Sequence, residues 1–567
     1  MVMSIYKKGD PTEMDNYRGI SLMPVPLKLL LLILTYRVAR VLEAKGLLAR
    51  EQAGFREKEE CPGQVAALVE AVLRRASEGQ ETFAMFVDLT KAYDVVPHEG
   101  LFAKMDQIGI RGRMLTFIRN LYYQSEIVVG MGGKQKPFQL KRGLRQGCPM
   151  SPILFDIFIN DLYGKPGVKR EKLGVKVPGI DTVKEGVLSG LLFADDLVGL
   201  AASLYDMKEH ARHVDEWCRR WDMKVGIKKC GVMCMGHRVI EQSAEAGQEQ
   251  LRREGPPCLG GEPVPIVEEY VYLGVTVTRY LDTDVMAERR LIKARRAAFI
   301  LKPLLRDKYI PVSVRSMILQ AVVSSSLLYG SEIWGMDVKR CEKGQLVLND
   351  AMRMMLGSKA KATNIPVAAM WRELGVPPVR AEASARRARA WFKFPLLKTW
   401  IGVLCASKVP KPKVKPTPGS KVPTIRSWMA VTSSWLRDKR NAVQEADGGD
   451  GEEKREESVF KRVLKDQWEK MERRQGAKAS AEYLSNGFAS TSLSSMVAIP
   501  PLGRREQVKL GSGLRLLSLC RIGGLWTAPR LARAYKVLED FKDLCPCCAG
   551  LVFSRGEDIS HIVLNVV

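Results

Sequence analysis

The chain has 567 residues, 46% apolar and 27% charged, which suits a globular protein of about three or four domains. Its 89 Lys+Arg against 63 Asp+Glu give a formal charge of +26, which points to a polyanionic partner, nucleic acid before anionic membrane. The most apolar run, 29–34, is bracketed by Lys28 and Arg37 and is too short to span a bilayer, and the 12 cysteines are mostly scattered, which favours reduced thiols over a disulfide framework.

The N-terminus runs straight into charged sequence, so no cleavable signal peptide is expected. Lys7, Lys8 and Arg18 lie among turn formers, where cations can grip phosphate oxygens or simply face solvent. The apolar spacing after Lys28 predicts a core helix. Residues 83–88 (FAMFVD) read as a buried strand ending on Asp88, with Tyr93 five residues on. Taken alone, Asp88 is equally a helix cap and Tyr93 a core aromatic.

The basic loop at 141–147 combines Gly143 and Gly147 with Arg142 and Arg145, which can approach an anion. Ser151 as N-cap and Pro152 as first helical residue predict a helix from Ile153 to about Leu162. It is not a Walker loop, because Gly-Lys-Ser/Thr is absent.

Residues 191–200 (LLFADDLVGL) set Asp195 and Asp196 between two short apolar runs, the pattern of a buried hairpin with acids at its tip. Adjacent carboxylates repel, and a divalent cation with a taste for hard oxygen ligands, magnesium first, relieves them; a plain polar turn is the alternative. Then come a helix over 204–221, a turn entering a strand at 223–233 with Lys228 and Lys229, a polar segment at 237–263, and a strand hairpin at 270–277.

From 284 to 357 the pattern is helical, with Arg289, Arg290, Lys293, Arg295 and Arg296 forming either a solvated face or a nucleic-acid track. Residues 406–424 hold five Pro and five Lys and read as a solvated extended linker, 445–457 as an acidic loop, and 458–474 and 527–543 as helices. Cys545, Cys548 and His561 have the spacing of zinc ligands, with Cys547 a poor fourth.

Together these stretches resemble the ordered motifs of reverse transcriptases, in the variant of non-LTR (LINE-type) retrotransposons. Phe86-Val87-Asp88 with Ala92-Tyr93-Asp94, the 145–152 run RQGCPMSP, and Phe193-Ala194-Asp195-Asp196 carry the likeness, and the opening KKGDPTEMDNYRGISL extends it over about 1–360. The resemblance implies an α+β right-hand polymerase, its palm sheet backed by helices, followed by a mostly helical C-terminal region. Fingers would occupy 1–79, palm and primer-grip hairpin 80–280, thumb and connection 281–400, linker 401–460, a helical region 461–544, and a truncated zinc knuckle 545–567.

It also implies roles. Asp88, Asp195 and Asp196 match the carboxylates that hold magnesium, with manganese a substitute. Tyr93 matches the aromatic that excludes a ribose 2′-hydroxyl, Gln146 and Gly147 the lining of the nucleotide site, and Arg18 a triphosphate ligand. Lys229 matches an acid toward pyrophosphate, and Tyr272, Leu273 and Gly274 a primer grip. RNA template, DNA primer and dNTPs would be the partners, without a membrane and with oligomeric state open, in the nucleus or else the cytoplasm.

Three departures stand out. The family's endonuclease is not visible, Val566 stands where the knuckle expects a cysteine, and Lys228 replaces a common Asn. The first two suggest a fragment or decayed copy. Alternatives to an RNA-directed DNA polymerase are an inactive retroelement remnant or RNA-binding scaffold, an RNA-dependent RNA polymerase, and a two-metal nuclease.

Overall fold

The structure is a computed structural model and describes residues 1–124, 126–128, 137–164, 173–182, 185–307, 309–356, 367–416, 422–437 and 452–474. Helix and sheet are mixed, and the chain divides into two compact units, 1–282 with 391–435, and 283–390 with 436–567. The expected helix at 527–543 and the residues Cys545, Cys547, Cys548 and His561 lie outside the described residues.

In the first unit, a hairpin of β1 (Val2–Tyr6) and β2 (Tyr17–Ser21) precedes α1 (Val25–Ala44) and α2 (Cys61–Ser77). Then follow β3 (Thr82–Thr90), α3 (Ala92–Val95), α4 (His98–Gln107), α5 (Gly112–Tyr123), β4 (Glu126–Ile127), β5 (Phe138–Gln139), α6 (Ser151–Ile159) and α7 (Asp161–Gly164). After them come β6 (Gly190–Phe193), β7 (Asp196–Ala201), α8 (Leu204–Arg220), β8 (Lys224–Val225), β9 (Gly231–Met235), α9 (Glu241–Glu254), β10 (Cys258–Leu259), β11 (Glu262–Pro263), β12 (Glu269–Tyr272) and β13 (Val275–Thr278).

β3 is the centre of a five-stranded antiparallel sheet. β7 and then β6 lie on one side, while β9 and β8 share its other edge. With both faces covered, β3 is buried without a break from Thr82 to Val87, which is why its sequence reads as an apolar run rather than an alternation. Phe83, Met85 and Val87 enter the main core with Phe155, Phe158, Met207 and Trp217, whereas Phe86 and Asp88 share the opposite face. Truncating Phe83 to Ala would cost about 3–5 kcal/mol.

Three expectations need correction. α1 forms, but it is not a core helix: Leu31 and Leu42 are buried while Leu29, Leu32, Ile33 and Tyr36 are exposed. The 237–263 segment is not merely polar, for it contains α9. That helix buries a short stripe of Ala244, Gly247, Gln248 and Leu251 against β9, and Gln248 Oε1 accepts from Cys234 N at 2.8 Å. Its apolar stripe is too small for hydrophobic periodicity to reveal. Third, Ser151 is the first residue of α6 rather than its cap; its hydroxyl donates to Arg145 O at 2.8 Å.

The second unit is helical where described: α10 (Thr283–Arg306), α11 (Val312–Ile318), a π turn at 319–324, α12 (Ser325–Leu328), α13 (Ser331–Trp334), α14 (Val338–Met355), α15 (Val367–Leu374) and α16 (Val379–Lys393). On α10 the basic run divides. Arg289, Lys293, Arg295 and Arg296 are exposed, while Arg290 turns inward over the Tyr329 ring at 4.2 Å.

The chain then returns to the first unit through α17 (Trp400–Ala406) and α18 (Trp428–Arg437), and α19 (Glu452–Arg474) follows, so helix begins within the expected acidic loop. The Pro/Lys-rich stretch is less free than its composition suggests. Lys413 N donates to Ser77 O at 2.8 Å, and Ile425 is buried beside Ala76. The fully buried pair Glu70–Arg74 of α2 anchors this return, with Arg74 donating to Leu404 O at 2.9 Å. No helix among the described residues is long and apolar enough to cross a membrane.

Candidate active site

β3 emerges from the core at Asp88, the first residue after Val87 that is not buried, and antiparallel register sets Asp88 directly opposite Asp196. The two-residue connection between β6 and β7 is Ala194-Asp195, with Ala194 in the left-handed region at φ 57°. Chain topology therefore gathers Asp88, Asp195 and Asp196 at one end of the sheet.

Their electrostatics follow from that crowding. Burial, with Asp88 adding repulsion, holds the Asp195 carboxyl above the usual range, against the pull of Lys229 and Arg18. Asp196 is exposed at the rim, yet the surrounding protein, then Asp195 and Asp88, push it up to about 6. Lys229 Nζ donates to Asp88 Oδ2 at 2.8 Å.

Arg18 stands on β2, opposite Ile5, exposed and near enough to Asp195 to stabilise its charged form. The Gln146-Gly147 loop is held between this strand and the segment after β3. Ser21 N donates to Gln146 O at 2.7 Å, Gln146 Nε2 to Asp94 Oδ1 at 3.1 Å, and Leu144 N to Tyr93 O at 2.7 Å. Gly147 (φ 100°) admits no side chain, since a Cβ would lie 2.8 Å from Ser21 O. Arg145 does not face this opening: it is buried, donates to Leu121 O at 2.6 Å and sits over the Tyr122 ring. Arg142 pairs with Asp222 at 2.7 Å.

Tyr93 stacks on Phe155 of α6 at 4.7 Å and meets Phe55 edge-on at 6.1 Å. Its hydroxyl is buried without a partner, and burial, then Asp156 and Asp195, hold it un-ionised. The β12–β13 hairpin turns at Leu273 (φ 45°) and Gly274 (φ 79°). It lies against the Asp88 face of β3: Tyr270 stacks on Phe86 at 4.3 Å, Tyr272 is 5.8 Å from the same ring, and Tyr270 OH donates to Lys229 O at 2.7 Å.

No group of three His, Cys, Asp or Glu side chains closes into a metal cage among the described residues. The donor set nevertheless fits magnesium in its usual form, one or two carboxylates completed by substrate phosphates and water. Asp88 raises the proton affinity of Asp195 and Asp196, and the three acids together supply the charge for it.

Residues 5–277 match the reverse transcriptase (RNA-dependent DNA polymerase) family. These residues are a reverse transcriptase domain. The chain is 23% identical over 375 residues to the probable RNA-directed DNA polymerase from transposon X-element of Drosophila melanogaster, covering 63% of this chain and 37% of that protein. It is 22% identical over 351 residues to the RNA-directed DNA polymerase from mobile element jockey of the same organism, covering 60% and 35%. A third relative, the Pol polyprotein from type-1 retrotransposable element R2 of Popillia japonica, is 28% identical over 200 residues, 34% of this chain and 26% of that one. The chain thus spans about a third of the length of the first two relatives. Among solved structures, apo telomerase from Candida tropicalis, truncated from its C-terminal domain, aligns over 47% of this chain and 52% of that one, at 12% identity and TM-score 0.31.

Sequence reasoning passed over Gln52, Gly54 and Phe55, which pack beside this candidate site. It also passed over Asp156, wholly buried in α6 with both carboxyl oxygens unpartnered. The signal for the first three was a glycine next to an aromatic in a short loop, which has no periodicity to notice.

Proposed function

We propose that the chain is an RNA-directed DNA polymerase that extends a DNA primer with dNTPs on an RNA template. The observation that carries this reading is the register of Asp88 opposite Asp196, with Asp195 in the adjoining turn. Asp88, Asp195 and Asp196 would hold magnesium, which would supply activation of the primer 3′-hydroxyl and charge neutralisation at the pyrophosphate leaving group.

The chain's own residues do the positioning. Arg18 draws in the triphosphate, the backbone at Gln146 and Gly147 lines the nucleotide, and the Tyr93 ring leaves no room for a ribose 2′-hydroxyl. Lys229 neutralises Asp88 before substrate arrives and, once displaced, donates a proton to the departing pyrophosphate. The Tyr272-Leu273-Gly274 hairpin steadies the primer end.

In this reading 1–79 act as fingers, 80–280 as palm and 281–400 as thumb and connection. The exposed Arg289, Lys293, Arg295 and Arg296 suit a template–primer backbone. Manganese substitutes for magnesium, and the chain acts at chromosomal DNA in the nucleus.

Primer extension on an RNA template with dNTPs and magnesium, comparing wild type with Asp195→Ala, tests the proposal. Extension abolished by the substitution supports it. A folded wild type that binds RNA without extending primers refutes it in favour of a scaffold, and extension indifferent to the substitution refutes the metal site.

A further inference from the structure

The turn that carries Asp195 is held from outside the sheet by a single side chain. Gln52 is fully buried, and its Oε1 accepts from Ala194 N at 3.0 Å and from Gly54 N at 2.7 Å. Its Nε2 donates to Ala194 O at 3.3 Å. One amide therefore meets both the N–H and the carbonyl of the residue before Asp195, much as a neighbouring strand would.

The backbone around it continues the same clasp. Leu192 N donates to Glu51 O at 2.8 Å and Ala53 N to Leu192 O at 2.9 Å, so 51–53 lie as a parallel bridge along the edge of β6. Gln64 of α2 locks both partners, its Nε2 donating to Glu51 O at 2.7 Å and Leu192 O at 2.8 Å. Gly54 must be glycine for this approach, since a Cβ there would lie 2.2 Å from Ala194 N.

The clasp has something to resist. Ala194 stands in the left-handed region without being glycine, and Phe55 next to Gly54 does too, at φ 59°. Repulsion among Asp88, Asp195 and Asp196 also works to splay the turn before a cation arrives.

We infer that Gln52 is a positioning residue that fixes the Ala194-Asp195 turn in the geometry that presents the carboxylates to the metal. The inference rests on the polymerase reading and deepens it. Gln52 touches neither substrate nor metal; it acts through the Ala194 peptide. Losing a purely stabilising glutamine would lower the amount of folded protein and leave the metal response of the folded fraction unchanged.

The test uses the full chain as wild type and Gln52→Leu. It reads hydrogen exchange at the Ala194 amide, manganese binding by EPR with template–primer present, magnesium half-activation of extension, and thermal unfolding. Gln52→Leu should exchange faster at Ala194 and need about tenfold more manganese or magnesium, with dNTP KM changed far less than the rate. Gln52→Glu keeps both acceptor bonds and should retain slow exchange. If Gln52→Leu does not fold, Gln52→Asn, too short to reach Ala194, takes its place with the same expectation.

Lowered thermal stability with wild-type exchange and wild-type metal response overturns the inference. A wild type that extends primers alongside an unchanged variant overturns the inference alone. A wild type that neither binds manganese nor extends primers overturns the polymerase reading, and the inference with it.

Discussion

Lys229 Nζ lies 2.8 Å from Asp88 Oδ2, so the ammonium just before β9 rests on the carboxylate where β3 leaves the core. Lys229 is 63% exposed, and such a pair contributes less than about 1 kcal/mol to stability. Lys229→Met should therefore leave the melting temperature nearly unchanged while slowing incorporation by about a hundredfold or more, the usual range for losing a general acid. Single-turnover incorporation against thermal unfolding checks it.

Tyr93 carries a buried hydroxyl without a partner above a ring stacked on Phe155. Tyr93→Phe removes that orphan and should stabilise the chain by about 1 kcal/mol while keeping the preference for dNTPs. Tyr93→Ala opens the sugar side and should raise relative rNTP use about tenfold or more. Competition between dNTPs and rNTPs in one extension reaction measures both.

Asp196 has its folded pKa raised to about 6, above the usual 3.8. The folded state then holds its proton more tightly, so this group's favourable contribution is full below about 3.8 and is lost as pH rises through 6. Without divalent cation, Asp196→Asn should gain about 1 kcal/mol relative to wild type at pH 8, allowing for solvent screening, and nothing near pH 4. Added magnesium should close the gap by stabilising wild type alone. Unfolding curves at the two pH values, with and without magnesium, decide it.

His210 gives the opposite slope. It is completely buried, its Nε2 2.7 Å from the Tyr163 hydroxyl and its Nδ1 3.3 Å from Leu200 O, which suits a neutral ring donating through Nδ1. Burial, then His213, pull its pKa from 6.5 down to about 4. Stability is therefore lost as pH falls from 6.5 toward 4, by up to about 3 kcal/mol. His210→Gln should unfold with less pH dependence across that window, as followed by denaturant titration.

The sheet was legible because its strands advertise themselves. Residues 83–88 and 191–200 are apolar runs interrupted only by acids, and burial on both faces demands that pattern. α9 was not legible, because a helix packed through Ala244 and Gly247 buries too little apolar surface to mark a stripe. α1 misled in the other direction: apolar residues at helical spacing specify a helix, and nothing in them specifies that a neighbour will cover it.

By itself the sequence determined the chemistry on offer: a strand ending on Asp88, a hairpin tipped by Asp195 and Asp196, an aromatic at 93 and a glycine loop at 147. These follow from local rules, since period, turn residues and charge act within a few positions of one another. Only the tertiary structure decided that Asp88 faces Asp196 across β3 and β7, that Lys229 closes on Asp88, and that Gln52 clasps Ala194. Those pairings join residues from 108 to 142 positions apart. Register and close packing set them, and no periodicity within either partner encodes the other.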